Sequence, residues 1–306
     1  MTSNPPLFNR VAFIGIGLIG SSLARAIRKY HLAEHISIST RRQETLDTAK
    51  ALNLGDSYTK DPAEAVIDAD LIVICTPMGA FEAVAKAIAP ALKTGAIITD
   101  VGSVKSTAVK DILPHLPAGV HLVPGHPIAG TEHSGPEAGY ADLFPGRWCI
   151  LTPIEDHESD AVEKVKALWL ACGAKVEIMT PDHHDRVLAI TSHLPHLIAF
   201  TIVDTAAQLA EDTQKEVIQF SASGFRDFTR IAASDPVMWR DVFLSNKEAV
   251  LDILGRFRDD LDQLTTAIED GDGALLEETF ARTRAIRRSV IDEKQHIPDS
   301  KPPKKS

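Results

Sequence analysis

Cysteine is scarce. The 306 residues hold three, Cys75, Cys149 and Cys172, which are scattered, odd in number and not in C-x-x-C spacing. A disulfide framework and a cysteine-built metal site are therefore excluded as organising features, and a reduced, cytoplasmic protein is the simplest account. Cys75 lies inside the strand-like run LIVICTP and reads as a small core residue rather than a nucleophile. Long apolar runs are missing too: none reaches the roughly 20 residues of a membrane helix before Gly, Pro or a charge interrupts it. Positive charge is in deficit. Lys and Arg number 32 against 42 Asp and Glu, a net charge of −10. That balance argues against a nucleic-acid partner but allows a local basic pocket for a small anion. No H-E-x-x-H occurs. His183, His184, His193 and His196 have no cysteine pair nearby, and Pro195 disturbs the helical geometry between His193 and His196, so no metal is expected.

What is present begins at residue 11, where VAFIGIGLIG runs into SSLARAIRKY. A short apolar strand enters a turn with Gly15, Gly17 and Gly20 in G-x-G-x-x-G spacing, and a helix follows. In a dinucleotide-binding βαβ unit the first glycine permits the tight turn and the second lets backbone approach a pyrophosphate. The third lets the helix pack closely on the strand. The helix N-terminus adds free N–H groups and a positive dipole end. A merely tight strand–helix turn is the alternative. A signal peptide is not expected, since the stretch lacks a basic n-region and a small-residue cleavage site.

The chain is long enough for two domains, and 44% hydrophobic with 24% charged residues fits a globular protein. Up to about residue 180, apolar runs alternate with helical segments such as 80–92 and 161–172. The strand candidates are VAFIGI, HISIST, DLIVICTP, GAIITDVGS, VHLVPGHP, WCILTP and AKVEIM. Such alternation predicts a mostly parallel, doubly wound α/β sheet covered by helices on both faces. Beyond 180 the pattern turns helical, for instance over 249–268 and 274–291. The expected organisation is a Rossmann-type domain over 1–180 and an all-α substrate and dimerisation domain over 181–295. A proline- and lysine-rich disordered tail over 296–306 completes it. Long helical pairs of this kind often complete their core by dimerising, so a homodimer is the default.

NAD enzymes usually place Asp or Glu after the second strand, where it accepts the ribose hydroxyls. Here HISIST ends in Thr40, which occupies that position, and Arg41 and Arg42 follow. A hydroxyl beside a guanidinium can hold a 2′-phosphate that a carboxylate would repel. NADP is therefore favoured and NAD stays open; the alternative is a pair of solvated arginines at a strand end.

Three further stretches combine polar residues with apolar scaffolding. In TDVGSVKS, at the carboxyl end of a strand, Ser103 and Lys105 are expected to point toward the cofactor crevice, or Ser103 to cap the helix beginning at Val104. In VPGHPIAGTEHSGPEAG, His126 is a natural proton acceptor for an alcohol oxidised at neutral pH, or else a histidine satisfied by turn hydrogen bonds. In GFRDFTRIAASDPVMW, Arg226 and Arg230 are four apart and suit a substrate carboxylate; a helix-surface pair bridged to Asp227 is the alternative.

Assembled, GIGLIGSSLA, TDVGSVK, GHPIAGTEHSG, TSHLPH and GFRDFTRIAASDPVMW occur in an order that closely resembles the prephenate/arogenate (cyclohexadienyl) dehydrogenase family, from about Arg10 to Val290. The resemblance implies a Rossmann-type domain followed by a helical dimerisation domain, and NAD(P)-dependent oxidative decarboxylation of a small-molecule substrate, prephenate or arogenate, in tyrosine biosynthesis. It implies that His126 is catalytic, hydrogen-bonded to the substrate's ring hydroxyl, and that Ser103 orients it and contacts the nicotinamide side. His196, Arg230 and Trp239 would bind substrate, with Arg230 holding a carboxylate. Arg226 falls where the family has a basic residue that can reach the neighbouring subunit's pocket. Glu132 and Asp227 match acidic residues of an ionic network around the site. Cofactor contacts are expected at Gly15, Gly17, Leu18, Ile19, Gly20, Thr40, Arg41, Thr76 and Ser103. Thr40 is a departure, since many members carry Asp there. After Val290 too little chain is expected to remain for a regulatory ACT domain, and nothing before Arg10 matches a chorismate mutase. Two rival readings are a Rossmann/helical 3-hydroxyacid or imine dehydrogenase, whose families lack GHPIAGTE and FRDFTR, and a non-catalytic NADP(H)-sensing protein.

Overall fold

Strand β1 (Phe8–Ile14) is buried at nearly every position of its second half, as a parallel strand covered on both faces must be. It lies inside a six-stranded parallel sheet of order β3-β2-β1-β4-β5-β6, the dinucleotide-binding order in which strand direction of travel reverses between β1 and β4. A computed structural model of the chain describes residues 5–131, 133–154, 159–208 and 223–292. Glu132 and the tail expected to be disordered lie outside them.

After β1 come α1 (Leu18–Lys29), β2 (Ala33–Ser39), α2 (Gln43–Ala51), β3 (Ser57–Thr59), α3 (Pro62–Ala65), β4 (Leu71–Ile74) and α4 (Phe81–Ile88). Then follow β5 (Ile97–Asp100), α5 (Lys105–Ile112) and β6 (His121–Leu122). Each apolar run of the sequence forms a strand, and β3 is an addition, at three residues too short to show a pattern. The run VHLVPGHP divides. Pro124, which has no N–H to donate to a ladder, separates β6 from β7 (Gly125–Pro127). The chain there leaves the parallel sheet for a second one, with β7 antiparallel to β8 (Trp148–Leu151) and β8 parallel to β9 (Lys175–Ile178). Helix α6 (Asp160–Ala171) joins β8 to β9, and the Ser159 hydroxyl caps its first turn.

Two apolar cores follow. One gathers Phe13, Leu23, Ile27, Phe144 and Trp169. The other gathers Ile72, Phe81, Ile98 and Ile112 with Trp239 and Val242, which come from the helical part. Burying side chains of this size contributes about 1.5–3 kcal/mol each, enough to seat the helix that carries Trp239.

Beyond the sheets lie α7 (Pro181–Leu188), a π-helical turn over Ala189–His193 and α8 (Leu194–Ala207). The expectation that every apolar run is cut short needs one correction. Residues Pro181–Ala207 form one helix that, by length and composition alone, could cross a membrane. Pro195 does not end it, because it stands in the first turn of α8 just after the π turn, where its missing N–H does little harm. Next come α9 (Ser223–Thr229), a 3-10 turn over Arg230–Ala233, and α10 (Pro236–Ser245), capped by Asp235.

The last helices are α11 (Lys247–Glu269) and α12 (Gly273–Asp292). The change from α/β to helical comes at Pro181, but the compact units divide later, into 1–250 and 251–306. In the second unit α11 and α12 meet at a tight turn, where Asp272 N–H donates 2.8 Å to the Ala267 carbonyl and its carboxylate accepts 3.0 Å from Leu275 N–H.

Candidate active site

The glycine turn joins β1 to α1 at the carboxyl edge of the sheet. Gly15 has φ +88°, and a Cβ there would lie 2.9 Å from the Cys75 carbonyl carbon, so only glycine fits. A Cβ on Gly20 would stand 3.1 Å from Cys75 Sγ, the close helix–strand approach that the spacing suggests. A Cβ on Gly17 would meet no protein atom within 4 Å. Helix α1 starts at Leu18 with no side-chain cap and no acid in its first turn. The Ser21 and Ser22 hydroxyls donate back to the Leu18 carbonyl, so they cap nothing. The N–H groups at Leu18, Ile19 and Gly20 are thus available to an anion. Thr76, just past β4, has a buried Oγ1 without a hydrogen-bond partner among the described residues. Thr40 and Arg41 follow β2, with Arg41 exposed and no carboxylate at the strand end. These residues fit a nicotinamide dinucleotide.

Beside this edge, β7 holds His126, whose Nδ1 is 2.8 Å from His184 Nε2. His184 Nδ1 is 2.8 Å from Asp185 Oδ1. Asp185 also accepts from the backbone N–H of Lys105 (2.7 Å) and of Ser106 (2.9 Å), so it caps α5 from across the fold. The alternative of a Ser103 cap is thereby overturned: α5 starts later, at Lys105, and its cap is tertiary. Ser103 is half-buried, with no hydrogen bond among the described residues. Lys105 does not face the crevice either. It is fully buried, paired with Asp100 and donating 2.7 Å to the Gly125 carbonyl, because the equally buried Asp100 at the end of β5 requires a counter-charge.

Burial pushes the His126 pKa well down, and His184, Lys105 and His193 add to the effect. Burial lowers His184 as well, partly opposed by Asp185. For Asp185 burial acts upward, but His184 and the two backbone N–H groups outweigh it and hold the carboxylate low. Burial pushes His193 down to about 4. Asn246 fixes His193: its side-chain N–H donates to the Asp185 carbonyl (2.8 Å) and to His193 Nδ1 (3.1 Å).

His196 stacks on Trp239 with ring centroids 3.6 Å apart, and its Nδ1 donates 2.9 Å to the Ser192 carbonyl. Arg230 opens the 3-10 turn packed against α8, near enough for its charge to depress the His196 pKa after burial has done so. Arg226 sits in α9 beside Asp227, 3.9 Å away, and both are exposed, which suits the surface-pair alternative. The fold thus brings His126, Lys105, His196 and Trp239 into one neighbourhood with Arg230 at its rim, and leaves Arg226 and Asp227 on the surface. Sequence reasoning missed the roles of Asp100, His184, Asp185 and Asn246. Only the acid next to His184 at a helix start hinted at them.

Comparison with known proteins bears on the family and the fold. Residues 23–178 match the nucleotide-binding domain model of prephenate dehydrogenase, and residues 180–282 match its dimerization domain model. The cyclohexadienyl dehydrogenase of Zymomonas mobilis is 42% identical over 93% of this chain and 97% of its own. The crystal structure of Aquifex aeolicus prephenate dehydrogenase, in complex with hydroxyphenyl propionate and NAD+, superposes with a TM-score of 0.84 at 34% identity, covering 92% of this chain and 98% of that one. Synechocystis arogenate dehydrogenase superposes with a TM-score of 0.78 at 28% identity, covering 92% and 99%. With both domain models matched in order along a fold that carries the glycine turn and the half-buried His126, the chain belongs to the prephenate dehydrogenase family.

Proposed function

We propose that the chain catalyses NAD(P)-dependent oxidative decarboxylation of prephenate to 4-hydroxyphenylpyruvate, of arogenate to tyrosine, or of both, in tyrosine biosynthesis. The observation that carries this reading is His126, its pKa lowered by burial, on a strand seated against the carboxyl end of β5, the sheet edge that also carries the glycine turn, in a chain of this family.

Prephenate is a cyclohexadiene with a hydroxyl at C4 and, para to it, a carboxylate at C1. Oxidation at C4 creates a ring carbonyl conjugated through to C1. The C1 carboxylate then leaves as carbon dioxide, and its bonding electrons aromatise the ring. Neutral His126 takes the hydroxyl proton as C4 is oxidised, and can return it to the phenolate oxygen once the ring is aromatic. A bound nicotinamide dinucleotide supplies the two-electron acceptor, held by Gly15, Gly17, Leu18, Ile19, Gly20 and Thr76, with Ser103 at the nicotinamide side. Arg230 anchors a substrate carboxylate, while His196 and Trp239 form a flat wall for the ring. Holding C4 in place supplies much of the barrier reduction.

NADP is the favoured cofactor and NAD the second, because Thr40 and Arg41 stand at the end of β2 where a carboxylate would repel a 2′-phosphate. The working unit is a homodimer formed through the helical residues 181–295, in a reduced, cytoplasmic setting; Arg226, exposed on one chain, would then reach toward the neighbouring subunit. The test is an absorbance assay of prephenate and arogenate, each with NAD and with NADP. A rise in reduced nicotinamide with at least one pairing is expected. No rise with any of them overturns the reading and revives the hydroxyacid and imine dehydrogenase alternatives.

A further inference from the structure

With both imidazoles neutral, the chain of contacts running from His126 through His184 to Asp185 has only one consistent proton arrangement. An ionised carboxylate accepts and cannot donate, so the 2.8 Å contact between Asp185 and His184 Nδ1 requires a proton on that nitrogen. A neutral imidazole carries one proton, so His184 Nε2 has a lone pair and must accept. The next contact, also 2.8 Å, then requires His126 Nδ1 to donate. What remains on His126 is a lone pair at Nε2. Burial and Lys105 favour both neutral imidazoles, and His193 adds to this at His126; at His184 the Asp185 and Asp100 carboxylates oppose it, but the net direction there is still downward.

We infer that His184 and Asp185 are positioning residues that lock His126 in its Nδ1–H tautomer, so that Nε2 is the atom that takes the substrate's hydroxyl proton. Asp185 does this from a fixed seat. Its oxygens also accept from the N–H groups of Lys105 and Ser106, and its own carbonyl accepts from Asn246. One carboxylate therefore sets both the start of α5, two residues past Ser103, and the ring orientation of the base. The inference rests on the proposed role of His126, but its first test needs no substrate.

In the unliganded full-length protein labelled with 15N-histidine, the His126 signals, identified by their loss in His126→Asn, should show a protonated Nδ1 and a bare Nε2. A protonated Nε2 overturns the inference. In Asp185→Asn the amide can donate to His184 Nδ1, which reverses both contacts and leaves His126 with Nε2–H. The expected result is that switch in the 15N spectrum, with kcat down on the order of 10³–10⁴-fold and KM within a few-fold, the scale of loss from a wrong tautomer. In His184→Gln the amide oxygen can still accept from His126 Nδ1, so the tautomer is kept and the loss of kcat is at least about tenfold smaller. Equal losses in the two variants, with an unchanged spectrum, overturn the inference. Should Asp185→Asn fail to fold, the wild-type spectrum and His184→Gln decide. If no substrate is turned over by the wild type, the functional reading fails and the tautomer result stands by itself.

Discussion

Lys105 donates a 2.7 Å hydrogen bond to the carbonyl oxygen of Gly125, the residue directly before His126. The same ammonium pairs with Asp100, and both side chains are wholly excluded from solvent. A lysine on α5 thus ties the end of β5 to the strand that presents the base.

Removing one partner of a buried pair leaves the other charge uncompensated, at a cost of about 3–5 kcal/mol. Lys105→Met should destabilise the protein on that scale, since the N–H groups of Gly102 and Gly125 alone remain for the Asp100 carboxylate. Denaturant unfolding measures this, and a loss below about 1 kcal/mol, the value of an ordinary hydrogen bond, would contradict it. Adding Asp100→Asn to Lys105→Met should recover part of the loss.

The pH profile should be shifted to the acid side. His126 works as a proton acceptor only when neutral, and burial, aided by His184, Lys105 and His193, lowers its pKa. Activity is therefore retained as pH falls through about 6.5, the ordinary histidine value, and is lost only at lower pH. The acid limb of kcat/KM reads this directly; a midpoint at or above that value counts against the assignment.

His126 and Arg230 should fail in different ways. His126→Asn removes the proton acceptor, and turnover should drop about 10²–10⁴-fold while KM changes little. Arg230→Ala removes a carboxylate anchor, and KM should rise with kcat much less affected. Steady-state kinetics on both variants separates the roles. Near-normal turnover of His126→Asn, or an unchanged KM for Arg230→Ala, would each remove its residue from the site.

Thr40→Asp should move the cofactor preference from NADP toward NAD, because a carboxylate after β2 accepts ribose hydroxyls and repels a 2′-phosphate. Arg41→Ala should weaken NADP by about 1–2 kcal/mol, roughly tenfold, and leave NAD nearly unchanged. Binding titrations with both dinucleotides suffice, and equal effects on the two would refute the assignment.

Much of this was readable in the sequence, and for a common reason. The strands around the glycine turn are buried on both faces, so burial leaves a continuous apolar run. Gly15 and Gly20 are local requirements of one turn, written within six residues. The proton-handling residues were harder, because their partners are remote: Asp185 meets the start of α5 across 80 positions. A helix whose cap comes from elsewhere carries no capping signal of its own, which is why Ser103 looked like the cap. The division of VHLVPGHP was legible in principle from Pro124, since proline interrupts a ladder. Lys105 resembled a crevice lysine because Asp100, its partner, lies in an apolar strand where a charge is not expected.

The π turn at Ala189–His193 acts as a phase shifter. One extra residue in a helix rotates everything after it by about 100°. His184 and Asp185, before the turn, therefore answer to one angular register, and His196, after it, to another. A regular helix of the same sequence would align one group with its partners only by turning the other away. Deleting a single residue from this turn should uncouple the base from the aromatic wall even though every side chain involved is still there.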